Sequence, residues 1–281
     1  MAMIDPLVST AWLSEHLGDS DVQIIDASWW MPAEKRSGQA DYLERHIPGA
    51  VFFDIDAITD QSSHLPHMLP SPESFAKAAG ELGLSRAATL VVYDTFGIRA
   101  AARVWWTLRV MGFEHVFVLD GGLKAWQAAE LDLETGPVYP KSTRLTSVFQ
   151  PELVRSAADV LAVLQDQPQQ MVDARSGARF RGEVPEPRAG LRGGHMPGAC
   201  NVPFDSLLTS DGHMKSADDI SAVFSAAGVA LGEPIVTTCG SGITASVLAL
   251  ALARMGIPNV PVYDGSWSEW GALPGVPVTT S

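Results

Sequence analysis

The sequence predicts an α/β protein built as two tandem domains, each a mostly parallel sheet flanked by helices. Three observations predict it. Short apolar runs bounded by turn residues alternate with longer helix-like segments, the pattern of a parallel sheet covered on both faces. A set of motifs recurs in the same order about 145 residues further on. A Pro/Ser/Thr-rich stretch without apolar periodicity, from Glu134 to Gln150, lies between the copies.

In the first half, Val22–Asp26, Leu90–Asp94 and Val116–Leu119 read as buried strands. Helices are expected over Ser71–Leu82 and Ala100–Met111. The first opens Ser-Pro-Glu, with Ser71 as N-cap, Pro72 at the first helical position and an acid in the first turn. The second half repeats the strands at Met171–Asp173, Ile235–Thr238 and Val260–Tyr263. Ile24-Ile-Asp-Ala-Ser returns as Met171-Val-Asp-Ala-Arg, and His46-Ile-Pro-Gly-Ala as His195-Met-Pro-Gly-Ala. Leu90-Val-Val-Tyr-Asp returns as Ile235-Val-Thr-Thr-Cys. Met111-Gly-Phe and the Asp120-Gly-Gly that follows return as Met255-Gly-Ile and Asp264-Gly-Ser. An offset this long is a whole domain, not a solenoid period. We therefore expect domains at 1–137 and 152–281 joined by a linker at 138–151.

Composition narrows the function. The chain has 281 residues, 46% hydrophobic and 18% charged, with a net charge of −13 and a pI near 4.8. That balance argues against nucleic acid, whose phosphates need a basic face, and against an anionic membrane surface. No apolar run reaches membrane-spanning length. The first residues carry early acids and lack a basic segment before an apolar one, so no signal peptide is expected. The two cysteines, Cys200 and Cys239, form no CxxC or Cys/His cluster. Neither a disulfide framework nor a metal site is expected, and a reducing cytoplasm is the default location.

Cys239 is the candidate nucleophile. It stands where the strand Ile235–Thr238 stops, before Gly240-Ser-Gly and an apolar helix. Ligands of open α/β sheets gather at that edge. Gly240 and Gly242 allow the chain to curl so that successive N–H groups form an anion nest, which favours a thiolate. The first half has Asp94 at this place, so one copy carries the thiol and the other none. Cys200, in Ala-Cys-Asn-Val-Pro, reads as strand entry and is expected to be inert. The tryptophans, with Trp126 and Trp270 in repeated positions, read as core and interface packing.

A loop opened by Cys239 before a helix, preceded by His195-Met-Pro-Gly-Ala and followed by Tyr263-Asp-Gly-Ser-Trp, resembles the rhodanese superfamily over nearly the whole chain. The resemblance implies two rhodanese-like domains, the first catalytically silent, and a sulfur-transferring enzyme needing no cofactor. Within that family Cys239-Gly-Ser-Gly-Ile-Thr244 is similar to the loop of enzymes using 3-mercaptopyruvate, with Ile243 in place of Val. Thiosulfate enzymes carry basic residues there, and a thiosulfate:cyanide sulfurtransferase remains the alternative, followed by a non-enzymatic sulfur-carrier module. Phosphatases of the related loop type need one more residue and a terminal Arg, which this loop lacks. The loop residues Gly240, Gly242, Ile243 and Thr244 are expected to surround the donor.

A donor with a carboxylate beside a ketone needs a planar bidentate partner, which arginine offers. The resemblance assigns that role to Arg179 of Arg-Phe-Arg-Gly and Arg188 of Pro-Glu-Pro-Arg. Arg175 and Arg181 are expected to make structural or surface contacts with nearby acids. The resemblance also implies a relay of Ser241, His67 and Asp56, with His64 as rival to His67. The implied partners are a small anionic sulfur donor and a thiol acceptor, a thioredoxin-like protein among the candidates.

Overall fold

A computed structural model describes residues 5–166 and 169–280; Met1–Ile4, the start of the stretch read for a signal peptide, lie outside the described residues. The elements run β1 (Leu7–Val8), α1 (Thr10–Glu15), β2 (Val22–Asp26), α2 (Gly38–Glu44), β3 (Val51–Phe52), α3 (Pro72–Glu81), β4 (Thr89–Tyr93), α4 (Ala100–Val110), β5 (Val116–Leu119) and α5 (Gly122–Ala128). The same order recurs as β6 (Val154–Arg155), α6 (Ala157–Asp166), β7 (Gln170–Asp173), α7 (Gly177–Phe180), β8 (Cys200–Asn201), α8 (Ala217–Ala226), β9 (Ile235–Thr238), α9 (Ile243–Arg254), β10 (Val262–Tyr263) and α10 (Ser266–Trp270).

Each half makes a five-stranded sheet in the orders β1-β5-β4-β2-β3 and β6-β10-β9-β7-β8, with all neighbours parallel. The two orders are identical under the duplication. The cores repeat too: Ile24, Val91 and Trp126 of one cluster stand where Met171, Val236 and Trp270 stand in the other. The His-x-Pro-Gly motifs are fold punctuation in both copies. His46 Nδ1 meets Tyr42 O and His195 Nδ1 meets Phe180 O, each at 2.8 Å. Gly49 and Gly198 follow at φ +76° and +75°, a conformation that suits glycine.

Local chemistry sets the element ends. Ser71 Oγ accepts the Ser74 N–H at 3.1 Å, so α3 starts at Pro72. The strand expected at Val260 begins only at Val262, because Pro261 has no N–H for the ladder and offers only its carbonyl, to Thr237 N.

The chain forms two compact units. The first comprises the chain up to Gln61, Leu69–Gln150 and Thr209–Met214; the second comprises Ser62–Met68, Pro151–Leu208 and the chain from Lys215 on. Each unit thus incorporates a short histidine-bearing segment from the other half of the sequence. The aperiodic stretch runs without strand or helix along the first unit, with Thr143 N on Gly80 O at 2.8 Å and Gln150 N on Val110 O at 2.8 Å.

Candidate active site

In the second unit β9 ends at Thr238, and Cys239 follows at the carboxyl edge of the sheet, 2% exposed. α10 holds the loop from one side. Trp267 N donates to Cys239 O and Ser268 N to Gly240 O, both at 2.9 Å, and Ser268 Oγ donates to Gly240 O at 2.6 Å. In a planar trans peptide the N–H points opposite its carbonyl. Tying down these two carbonyls therefore turns the N–H groups of Gly240 and Ser241 towards the inside of the loop. Ser266, at φ +48°, donates its hydroxyl to Tyr263 O at 2.8 Å and accepts the Cys239 N–H at 3.2 Å. Gly242, at φ +79°, turns the chain into α9, whose first amides have no partner within the helix and are available to an anion at this end.

The first unit shows what such a loop binds. Asp94, at the cysteine position, folds its carboxylate back into its own loop. It accepts from Gly97 N at 2.8 Å, Arg99 N at 2.9 Å and Ala101 N at 2.8 Å. The first copy of the loop is thus an anion cradle filled by an internal anion. The matching amides of the second unit belong to Gly242, Thr244 and Ser246, around a thiol that brings no carboxylate.

Arg179, on α7, reaches this loop. A Cβ added to Gly240 would lie 3.1 Å from Arg179 Nη2 and 3.8 Å from Nη1. A side chain at 240 would meet the guanidinium at once, so the glycine lets it stand against the residue following Cys239. The other edge of Arg179 is bound to Glu186, Nε to Oε1 at 3.3 Å and Nη2 to Oε2. Glu186 also accepts from Arg175 Nη1 at 2.8 Å. Arg175 is fully buried, paired with Asp173, bonded to Gly194 O at 2.8 Å, and set 4.1 Å over the Trp267 ring. Arg181 pairs with Glu183 at the surface. Arg188 is half-buried on the same loop as Glu186.

His67, from the segment Ser62–Met68, belongs to the second unit. Its Nδ1 lies 3.1 Å from Ser241 Oγ, and both side chains are buried. It adopts φ +61°, which is uncommon outside glycine. Its counterpart in the repeat, His213, belongs to the first unit, beside Gly121. Asp56 is in the first unit, where its Oδ2 accepts from Trp29 Nε1 at 2.9 Å. Cys200 lies on β8, and burial pushes its thiol above the ordinary range, away from the thiolate. The sequence reading missed the holding roles of Glu186 and Ser266, although both stand inside the motifs that carried the resemblance.

Comparison with known proteins agrees with this architecture. The Rhodanese-like domain family matches twice, over residues 9–129 and 156–273. The chain belongs to the rhodanese family. It is 48% identical over 272 residues to a 3-mercaptopyruvate sulfurtransferase of Escherichia coli, covering 96% of each chain. A human 3-mercaptopyruvate sulfurtransferase is 42% identical, with 94% of this chain and 91% of the relative covered. Among solved structures, SseA from Escherichia coli, described as a 3-mercaptopyruvate sulfotransferase with the rhodanese fold, superposes with a TM-score of 0.87 at 46% identity. It covers 95% of this chain and 100% of its own. Among the described residues of this chain, no group of three or more His, Cys, Asp or Glu is placed to hold a metal. No helix among them is long and apolar enough to cross a membrane.

Proposed function

We propose that this protein is a 3-mercaptopyruvate sulfurtransferase working through a persulfide on Cys239. The observation that carries the reading is the Arg179 guanidinium, 3.1 Å from the place of a Gly240 Cβ, beside the cysteine in its cradle. Arg179, with Arg188, takes the donor's carboxylate and ketone and sets its sulfur near Cys239. The Cys239 thiolate attacks that sulfur, the S–S bond forms, and the C–S bond breaks with its electron pair passing to the enolate of pyruvate. The enolate takes a proton and leaves as pyruvate. The Ser241 hydroxyl with His67 behind it supplies a path for that proton. Loop and helix N–H groups hold the negative charge of the resulting persulfide.

An acceptor thiolate then attacks the outer sulfur and returns Cys239 to its starting state. A small dithiol or a thioredoxin-like protein fits that role, in a reducing compartment such as the cytoplasm. The family resemblance adds Asp56 to this pair, and Asp56→Asn, followed by the pH dependence of turnover, tests whether Asp56 takes part. The function is tested by pyruvate release from 3-mercaptopyruvate with a dithiol acceptor, set against turnover of thiosulfate with cyanide. Higher kcat/KM for thiosulfate would overturn the donor assignment. Persulfide formation without steady-state pyruvate release would make the chain a sulfur carrier instead.

A further inference from the structure

Glu183 and Glu186 look alike in the sequence, two acids in one arginine-rich loop. Their surroundings differ. The Glu183 pair with Arg181 is about half exposed on both sides, where ion pairs contribute little. The Glu186 side chain is 1% exposed and accepts from two arginines at once. One of these, Arg175, is immobilised by Asp173 at the end of β7, by Gly194 O and by the Trp267 ring. The other, Arg179, keeps 23% of its side chain exposed.

We infer that Glu186 is a positioning residue of the donor site, clamping Arg179 so that the guanidinium's remaining N–H edge faces the Gly240 side of the cysteine loop. The inference rests on the sulfurtransferase reading. A guanidinium has five N–H donors in a fixed fork. Glu186 takes Nε–H and one hydrogen of Nη2, so the donor meets Nη1 and the second hydrogen of Nη2. Both of those nitrogens lie on the Gly240 side, at 3.8 and 3.1 Å from an added Cβ. The alternating row Asp173, Arg175, Glu186, Arg179 runs from the strand end to the loop, and each charge fixes the next. Without Glu186 the Arg179 side chain is free to swing, and its fork loses the orientation that bidentate binding needs.

The role is tested in the full-length protein with Glu186→Gln and Glu186→Asp. Gln removes the charge. Asp keeps a charge for Arg175 and draws the carboxylate back by one methylene, so it is the variant to rely on if Gln does not fold. Two donors are compared: 3-mercaptopyruvate, and inorganic polysulfide, which has no carboxylate. Losing oriented charge-assisted binding should raise the KM for 3-mercaptopyruvate about ten- to a hundredfold. The fall in kcat should be smaller, and sulfur loading of Cys239 from polysulfide, followed by intact mass, should stay near the wild-type rate. Equal losses with both donors would reduce Glu186 to a structural ion pair, and an unchanged KM would overturn the inference as well. A wild type that releases no pyruvate would count against the sulfurtransferase reading itself, a result separate from variants that match an active wild type.

Discussion

Asp26 and Asp173 occupy the same position in the two copies, but only Asp173 has an arginine two residues later. Asp173 accepts from the N–H, Nε and Nη2 of Arg175. Asp26 is followed at that place by Ser28, whose N–H reaches Oδ1 at 2.7 Å, while the buried Oδ2 has no well-formed hydrogen bond and no arginine. Burial raises the Asp26 carboxyl from 3.8 to about 6, hydrogen bonding from Ser28 and from the Tyr93 hydroxyl opposes the rise, and the Asp94 charge nearby adds to it. A folded-state pKa above the unfolded value gives stability that is fully present below 3.8 and is lost as pH rises through about 6. At 1.36 kcal/mol per pH unit, the gap from 3.8 to about 6 comes to about 3 kcal/mol.

Asp26→Asn removes the charge at nearly constant shape. It should stabilise the first unit at pH 7.5 by up to about 3 kcal/mol, less whatever its amide N–H groups leave unmet, and the advantage should vanish at pH 4. Hydrogen exchange of the β2 and β4 amides, on wild type and variant at both pH values, measures the difference unit by unit. Asp173→Asn should do the reverse and destabilise the second unit by about 3–5 kcal/mol, because it leaves Arg175 buried beside an uncharged amide. A stability difference between wild type and Asp26→Asn that is the same at both pH values would refute the reasoning.

Cys239→Ser should abolish turnover and leave the fold intact, and intact-mass analysis after donor treatment should place the added sulfur of the wild type on Cys239; sulfur on Cys200 would overturn that assignment. Arg179→Lys and Arg188→Lys keep charge but lose the planar fork, and each should lower kcat/KM for 3-mercaptopyruvate about ten- to a hundredfold. Placing Arg at 240 and Lys at 241 should raise thiosulfate use by bringing charge to the thiolate. It should depress 3-mercaptopyruvate use, because the new side chain starts 3.1 Å from Arg179 Nη2 and the Ser241 hydroxyl is gone. Steady-state kinetics with both donors check the shift, and an unmoved ratio would show that the loop does not select the donor.

The sequence by itself determined the duplication, the parallel α/β architecture and the strand–cysteine–helix junction, because each is written in local terms: apolar runs, turn residues and motifs at a steady offset. It also marked Arg179 and Ser241, through motifs that hold their positions along the chain. Whether Glu183 or Glu186 is the buried acid was not legible there, since both sit in the same loop and only the packing of Arg175 against Trp267 decides which carboxylate is drawn inside. The fate of Asp94 was equally hidden. An acid at a strand end reads as a surface charge until the chain curls and offers it three amides. The resemblance pairs His67 with Ser241, but nothing local in the chain joins them, and it is the tertiary structure that brings the two within 3.1 Å across 174 positions. Contacts of that range depend on how the whole chain closes, and no window of sequence contains them.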